Sequence, residues 1–120
     1  NETFELSFGI DDNIKVKRFK MVDDLKKDKI GLRQHRVYGW QIELRNFKDQ
    51  MQEIVVKENI PVSELKDVKV ELKGETSPGY ELDEQEGIIS WKVKLEKQAK
   101  KTIQLYYEID APKSFDLNAV

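Results

Sequence analysis

Apolar and polar residues alternate along most of this chain, and strict alternation predicts β-strands with one buried face and one solvent-facing side. The clearest segments are residues 89–95 and 103–109, where every second residue is apolar. Their apolar positions are Ile89, Trp91, Val93, Leu95, Ile103, Leu105, Tyr107 and Ile109. Because the same pattern recurs in earlier segments, it predicts the architecture of the whole chain.

Seven segments follow the pattern, and no long segment has the 3.6-residue period of a helix. The predicted strands lie at 3–8, 14–22, 37–45, 53–58, 68–72, 89–95 and 103–109. Short strands separated by turns predict an all-β domain, an antiparallel immunoglobulin-like β-sandwich of about seven strands that covers residues 1–120. Residues 63–66 are expected to form one helical turn capped by Ser63, and residues 82–87 an acidic turn.

Three local features refine this prediction. Within 14–22 the apolar residues change parity, which predicts a β-bulge at Lys17-Arg18. Residues 23–34 are charged and without periodicity, so we expect a long hairpin loop there. Trp40 and Trp91 are in phase with the apolar rows and are expected in the core, whereas Tyr106 is out of phase and is expected to be exposed.

Composition narrows the chemistry. There is no cysteine, which excludes disulfides, thiolate nucleophiles and cysteine metal sites. With 120 residues, 38% of them apolar, the chain can form a core without such crosslinks. No apolar run approaches transmembrane length, so membrane insertion by this domain is not expected. The strand pattern begins almost at the first residue, and we therefore expect a fragment of a longer protein.

Positive charge is concentrated in residues 14–36, which hold nine Lys or Arg residues and three acids although the whole chain has a net charge of −2. This stretch predicts a patch for an anionic ligand, and we include Tyr106 as an exposed aromatic. The candidate residues are Lys15, Lys17, Arg18, Lys20, Arg33, Arg36 and Tyr106. The alternative is a solvated strand whose lysines prevent edge pairing. Without interleaved aromatics, nucleic acid is not an expected partner.

No catalytic constellation is visible in the sequence. His35 is the single histidine, and neither a second imidazole nor a thiol accompanies it, so it is expected at the surface. Acidic clusters at 11–13 and 83–86 lack the spaced ligands of a calcium loop. We therefore expect no enzyme activity, no cofactor and no metal.

Several strand-and-turn motifs, in this order and spacing, resemble the C-terminal part of the mucoidy-inhibitor-A-like proteins, a module classified as a domain of unknown function. The motifs are Phe8-Gly9-Ile10-Asp11, Arg45-Asn46-Phe47-Lys48, Asn59-Ile60-Pro61-Val62-Ser63, Gly87-Ile88-Ile89-Ser90-Trp91-Lys92, Tyr107-Glu108 and Pro112-Lys113. The resemblance implies a periplasmic or cell-envelope bacterial protein with an N-terminal coiled-coil-bearing region. It implies no catalytic residues.

These observations predict a non-catalytic structural or protein-interaction module of a larger bacterial envelope protein. The expected partner is another protein or the rest of its own chain. The alternative is a glycan-binding module for an anionic polysaccharide. An apolar edge or flat patch would favour protein docking, whereas a concave strip of exposed aromatics would favour a glycan.

Overall fold

The computed structural model describes residues 5–6, 13–27 and 31–115. Eight strands run through this part of the chain. They are β1 (Glu5–Leu6), β2 (Ile14–Lys27), β3 (Arg33–Asn46), β4 (Gln52–Asn59), β5 (Lys69–Leu72), β6 (Tyr80–Asp83), β7 (Ile88–Leu95) and β8 (Lys100–Pro112). The described residues include no helix of the length and apolar character that a bilayer crossing requires.

The strands form two four-stranded sheets in which every pairing is antiparallel. The first sheet has the order β1-β4-β7-β6, and the second has the order β2-β3-β8-β5. Side chains at alternating positions of β3, β4, β7 and β8 meet between the sheets. The predicted all-β antiparallel sandwich is therefore confirmed.

The strand order can be compared with that of an immunoglobulin domain, whose sheets are ABED and CFG. The order β1-β4-β7-β6 corresponds to ABED, and β5 and β8 correspond to C and F. The strand beside β8 is β3, however, which comes early in the chain and is paired with β2, whereas strand G follows F. The immunoglobulin-like assignment stays a prediction for this reason.

The core is formed by the apolar rows that the alternation predicts. The most buried side chains include Ile42, Leu44, Ile54, Val56, Ile89, Leu95, Ile103, Leu105 and Ile109. Trp91 is 3% exposed, as expected, and its indole N–H donates a 2.9 Å hydrogen bond to the Ser77 carbonyl. Trp40 packs against the core from the inner face, as its phase predicts, but it is only half-buried, so the prediction that it is buried was wrong.

The β-bulge lies later in β2 than the sequence predicts. Residues 14–20 pair with β3 without interruption, and the register shifts between Lys20 and Val22. The apparent change of parity at Lys17-Arg18 has another cause, since Arg18 occupies an inward position while Phe19 is 41% exposed on the outer face. The location of the predicted bulge was therefore wrong.

Strand bounds differ from the sequence-based prediction in two more places. The expected loop at 23–34 is largely strand, because β2 continues to Lys27 and β3 begins at Arg33. β6 occupies Tyr80–Asp83, half of it inside the expected acidic turn. Residues 63–66 form no helix; the Ser63 hydroxyl instead accepts a 3.1 Å hydrogen bond from the Leu65 amide. Most of the strand predicted at 3–8 lies outside the described residues, as does the acidic cluster at 11–12.

Candidate functional site

The basic patch predicted from residues 14–36 is not one surface. Lys15 and Lys17 are exposed on the outer face of the second sheet, because they alternate with the inward-facing Ile14 and Val16. Arg18 and Lys20 have the opposite parity and lie on the inner side. Arg33 belongs to a separate cluster at the far end of β3, where its Nε donates to Asp110 Oδ1 at 3.0 Å. The fold therefore distributes these cations over both faces.

Arg18 forms an ion pair that bridges the two sheets. Its Nη2 and Nε donate to the two carboxylate oxygens of Glu58 at 2.9 and 3.1 Å. Glu58 is 1% exposed, and the Arg18 guanidinium carbon lies 3.6 Å from the centroid of the Trp40 ring. A bidentate pair of this kind satisfies a charge that would be costly to bury alone. Arg18 therefore serves the packing of the sandwich and does not belong to an anion-binding surface.

Lys20 and Arg36 are both engaged by Asp23. Arg36 Nε donates to Asp23 Oδ1 at 2.9 Å, and Lys20 Nζ lies 3.2 Å from Oδ2. The hydrogen bond from Arg36 is the main cause that holds the pKa of the Asp23 carboxyl below its usual value, and it raises the pKa of Arg36. These two cations are therefore already compensated.

Tyr106 is half-buried, so the prediction of an exposed aromatic was wrong. Its ring lies against Gly39 on the neighbouring strand, where a Cβ atom would be 2.4 Å from Tyr106 Cε2. Glycine at this position lets the ring cover the backbone of β3. Gly39, directly opposite Tyr106 in the ladder, is the sequence signal that could have indicated this contact.

The exposed lysines of β2 instead join cations from two other strands. Lys15 is directly opposite Arg45 on β3, and Arg45 is directly opposite Lys100 on β8. We call Lys15, Arg45 and Lys100 the basic row. With Lys17, Glu43 and Phe47 the row lines a cavity of about 380 Å³, which we call the basic pocket. Sequence reasoning missed Arg45, Phe47 and Lys100, although Arg45 is out of phase with the inward Leu44.

Phe47 forms one wall of the basic pocket and is 43% exposed. The preceding residue, Asn46, is fully buried, and its side-chain amide donates to the carbonyls of Gln50, Leu95 and Glu96 at 2.8–3.2 Å. The Phe47 amide donates to the Asn13 carbonyl at 2.8 Å. These contacts hold the β3–β4 turn against its neighbours, so the ring is fixed beside Arg45, whose guanidinium carbon is 4.9 Å from its centroid.

A second cavity of about 510 Å³ lies at another side of the molecule, between the edge strands of the two sheets. β5 pairs only with β8 and β6 only with β7 in the described part of the chain, so both present an unpaired edge. The apolar lining comes from β5, β6 and the segments before β5, namely Ile60, Pro61, Val62, Val68, Val70, Leu72, Tyr80 and Leu82. We call this cavity the edge groove.

Gly87 fixes one wall of the edge groove. Its φ is +67°, and its carbonyl accepts a 2.8 Å hydrogen bond from the Ile60 amide. A Cβ atom here would lie 2.5 Å from both the Ile60 carbonyl oxygen and Val62 Cγ2. Only glycine allows the β6–β7 turn to approach residues 60–62 so closely. The backbone contact therefore positions Val62, which is 48% exposed at the groove.

The surroundings of the edge groove are acidic. Residues 71–86 contain six Asp or Glu residues and one lysine. Glu71 and Glu84 line the groove itself, and both are exposed. The edge groove therefore combines an apolar interior with a negative margin, whereas the basic pocket has the opposite charge.

A family match covers nearly the whole chain. The family described as domain of unknown function (DUF4139) matches residues 2–113. The chain belongs to this family. Among curated proteins none matches the chain, and none matches among solved structures.

The DUF4139 description assigns no activity. Within residues 13–27 and 31–115, no group of three or more His, Asp or Glu side chains is arranged to hold a metal ion. His35 is about one-third exposed, and its Nδ1 lies 3.7 Å from carboxylate oxygens of Glu108 and Asp110. Glu58 is the one fully buried acid of these segments, and Arg18 holds both of its oxygens.

Proposed function

We propose that this DUF4139 domain is a non-catalytic interaction module that binds an extended, basic polypeptide segment in the edge groove. The observation that carries the proposal is the position of an apolar cavity between two unpaired strand edges. The segment belongs to another protein or to the rest of its own protein.

Unpaired edges favour an extended peptide over other ligands. A strand edge presents backbone N–H and C=O groups that a peptide in β conformation can pair with. Alternate side chains of such a peptide would point into the apolar interior lined by Val70, Leu72 and Leu82. Backbone pairing would then supply affinity, and the apolar cavity would select the inward side chains.

Charge favours a basic segment. The outward side chains of the bound strand would face the acidic margin formed by residues 71–86, including Glu71 and Glu84. Complementary charge accelerates association and excludes partners of the wrong sign. Lysine or arginine at alternate positions is therefore the expected character of the peptide.

The arrangement of carboxylates supports a non-catalytic role. General acid–base chemistry with acids needs a carboxyl group that faces a substrate cavity, often with a shifted pKa. The buried Glu58 is bound through both oxygens to Arg18. Glu71 and Glu84 of the edge groove are exposed, as acids at a recognition margin are.

The proposal can be tested with a synthetic peptide of alternating lysine and valine, titrated into the isotopically labelled domain. We expect amide chemical-shift changes at residues 69–72 and 80–83. A peptide of alternating glutamate and valine has the same β propensity and the wrong charge, so it should bind much more weakly.

Substitutions at exposed groove residues provide the matched comparison. Val62→Lys and Tyr80→Lys introduce a positive charge at side chains that are 48% and 40% exposed, so the fold should persist. Both should abolish binding of the lysine–valine peptide. Phe47→Lys, at a similarly exposed apolar side chain in the basic pocket, should leave it unchanged. Equal binding by all three variants would overturn the proposal.

We further propose that the domain is part of a bacterial cell-envelope protein, as the resemblance to mucoidy-inhibitor-A-like proteins implies. The test is expression of the complete protein with its native N-terminus, followed by fractionation. Recovery with periplasmic or envelope markers is expected, and recovery with cytoplasmic markers alone would contradict it.

A further inference from the structure

We infer that the basic pocket binds a carboxylate-bearing sugar unit of an acidic polysaccharide. This site is separate from the edge groove in residues and in charge. Three observations carry the inference: the excess of cations over acids around the basic row, the contact of Arg45 with Phe47, and the apolar lining between the cations.

The basic row places like charges directly opposite one another. Lys15, Arg45 and Lys100 are ladder partners on one face, about 4.8 Å apart from strand to strand. Like charges at such positions destabilise a sheet, so a bound counter-charge would stabilise this one. Among the described residues, the one acid of the pocket is Glu43, whose Oε1 lies 3.5 Å from Lys100 Nζ. One carboxylate therefore faces four cations.

Arg45 is prepared to bind a carboxylate. Its guanidinium is stacked on Phe47, at 4.9 Å from the ring centroid, and stacking restricts its orientation. A guanidinium held in this way keeps N–H groups along its edge for a bidentate contact with a carboxylate. Lys15 and Lys17, on the adjacent strand, add point charges that are less directional.

The apolar part of the pocket lining favours a sugar over a small inorganic anion. The Phe47 ring and the aliphatic stems of the lysines form most of the lining between the charged groups. A uronic acid offers both a carboxylate and an apolar C–H face that can lie against a ring. Phosphate has no apolar face that could lie against this lining.

The test is a titration of the whole chain with a galacturonic acid oligomer, followed by amide chemical shifts. We expect changes at Lys15, Arg45, Phe47 and Lys100, and no changes with a neutral glucose oligomer of equal length. Affinity should fall as the salt concentration increases, because binding of the protein releases cations that are associated with the oligomer. Arg45→Gln should weaken binding by about tenfold or more, since it removes a charge-assisted bidentate contact.

Three controls keep the inference falsifiable. Lys94→Gln removes one positive charge from an exposed residue of the first sheet, so it should have little effect. Phe47→Ser should weaken binding of the galacturonic acid oligomer and leave binding of inorganic phosphate unchanged. The inference would be overturned if Arg45→Gln and Lys94→Gln lost the same affinity for the galacturonic acid oligomer. It would also be overturned if polyglutamate bound as tightly as that oligomer. Concentration-dependent self-association that Arg45→Gln abolishes would overturn it too, because the occupant would then be an acidic segment of a second copy.

Discussion

The inter-sheet pair of Arg18 and Glu58 shows how one residue can mislead a reading of strand parity. Position 18 faces inward, but it holds an arginine because Glu58 faces inward from the opposite sheet. The pattern of apolar residues alone therefore suggested a shift of register where none exists. Glu58 itself is in phase with Ile54 and Val56, so its burial could have been predicted from the sequence, whereas its partner could not.

This pair yields a prediction about stability. Arg18→Met should reduce the free energy of unfolding by about 3–5 kcal/mol near neutral pH, because it removes the guanidinium that compensates the buried Glu58 carboxylate. Arg18→Met/Glu58→Leu should recover most of that loss, since both charges are then removed. Urea unfolding of the single and double variants measures the difference. A double variant as unstable as Arg18→Met would contradict it.

Burial of the Tyr107 hydroxyl predicts that the protein loses stability at high pH. Burial is the main cause that raises the pKa of its hydroxyl to about 12, whereas an unfolded tyrosine ionises near 10. The folded state therefore retains a proton that the unfolded state releases. The free energy of unfolding consequently declines as pH rises from about 10 to 12. By this linkage, the loss is at most about 2–3 kcal/mol.

The control for Tyr107 is Tyr107→Phe. It removes the titrating hydroxyl while the lysines and the other tyrosines remain. Urea unfolding between pH 8 and about 12 should show a smaller decline for Tyr107→Phe than for the unchanged chain. Parallel declines would show that Tyr107 does not contribute.

At the scale of elements, alternation predicted the long strands and failed where another contact determines the conformation. β7 and β8 follow the apolar rows closely, because both bury one face against the opposite sheet. β6 has four residues beside a proline-containing loop, too few for alternation to distinguish it from a turn. The edge groove was not predictable, because it needs β5 and β6 to meet from different sheets.

Gly74, Gly79 and Gly87 lie in turns near the edge groove, and substitution by alanine should change the stability of the protein to a different extent at each. A Cβ atom added at Gly74 would have no neighbour within 4 Å. Gly79 has equally open space, but its φ is +83°. Gly87 has a φ of +67°, and a Cβ atom there would lie 2.5 Å from the Ile60 carbonyl oxygen. Gly74→Ala should be neutral or slightly stabilising, and Gly79→Ala should cost about 1 kcal/mol from backbone strain alone. Gly87→Ala should cost more, because residues 60–62 must also move.

Thermal unfolding of the three variants measures this order. Gly87→Ala should also alter the amide chemical shifts of Val62 and its neighbours, whereas Gly79→Ala should not. If Gly87→Ala and Gly79→Ala had the same stability, the contact with Ile60 would not contribute.

The whole molecule is longer than its size requires. Its principal extents are 57 × 25 × 25 Å, and its radius of gyration is 16.5 Å. A compact domain of this length would have a radius of gyration of about 14 Å. The elongation follows from β2 and β3, because strands of 14 residues span about 46 Å at 3.3 Å per residue. Sequence reasoning missed this shape when residues 23–34 were interpreted as a loop.

The long β2 should not be equally stable along its length. Ile14 and Val16 lie against the sandwich, but every residue from Asp23 to Lys27 is exposed, and the bulge after Lys20 separates the two parts. Since β2 is an edge strand, its outer part is held mainly by backbone pairing with β3. Few buried apolar contacts mean a low free energy of local opening.

Native-state hydrogen exchange can measure that difference. Among amides that donate to β3, those in residues 23–27 should exchange at least about a hundredfold faster than core amides of residues 103–111, whose opening requires global unfolding. Amides of residues 14–18 should be intermediate. Comparable protection at 23–27 and 103–111 would mean that the extension is as stable as the core. Rapid exchange at 23–27, with greater protection at 14–18 and most at 103–111, would identify the sandwich as the stable body that carries the edge groove.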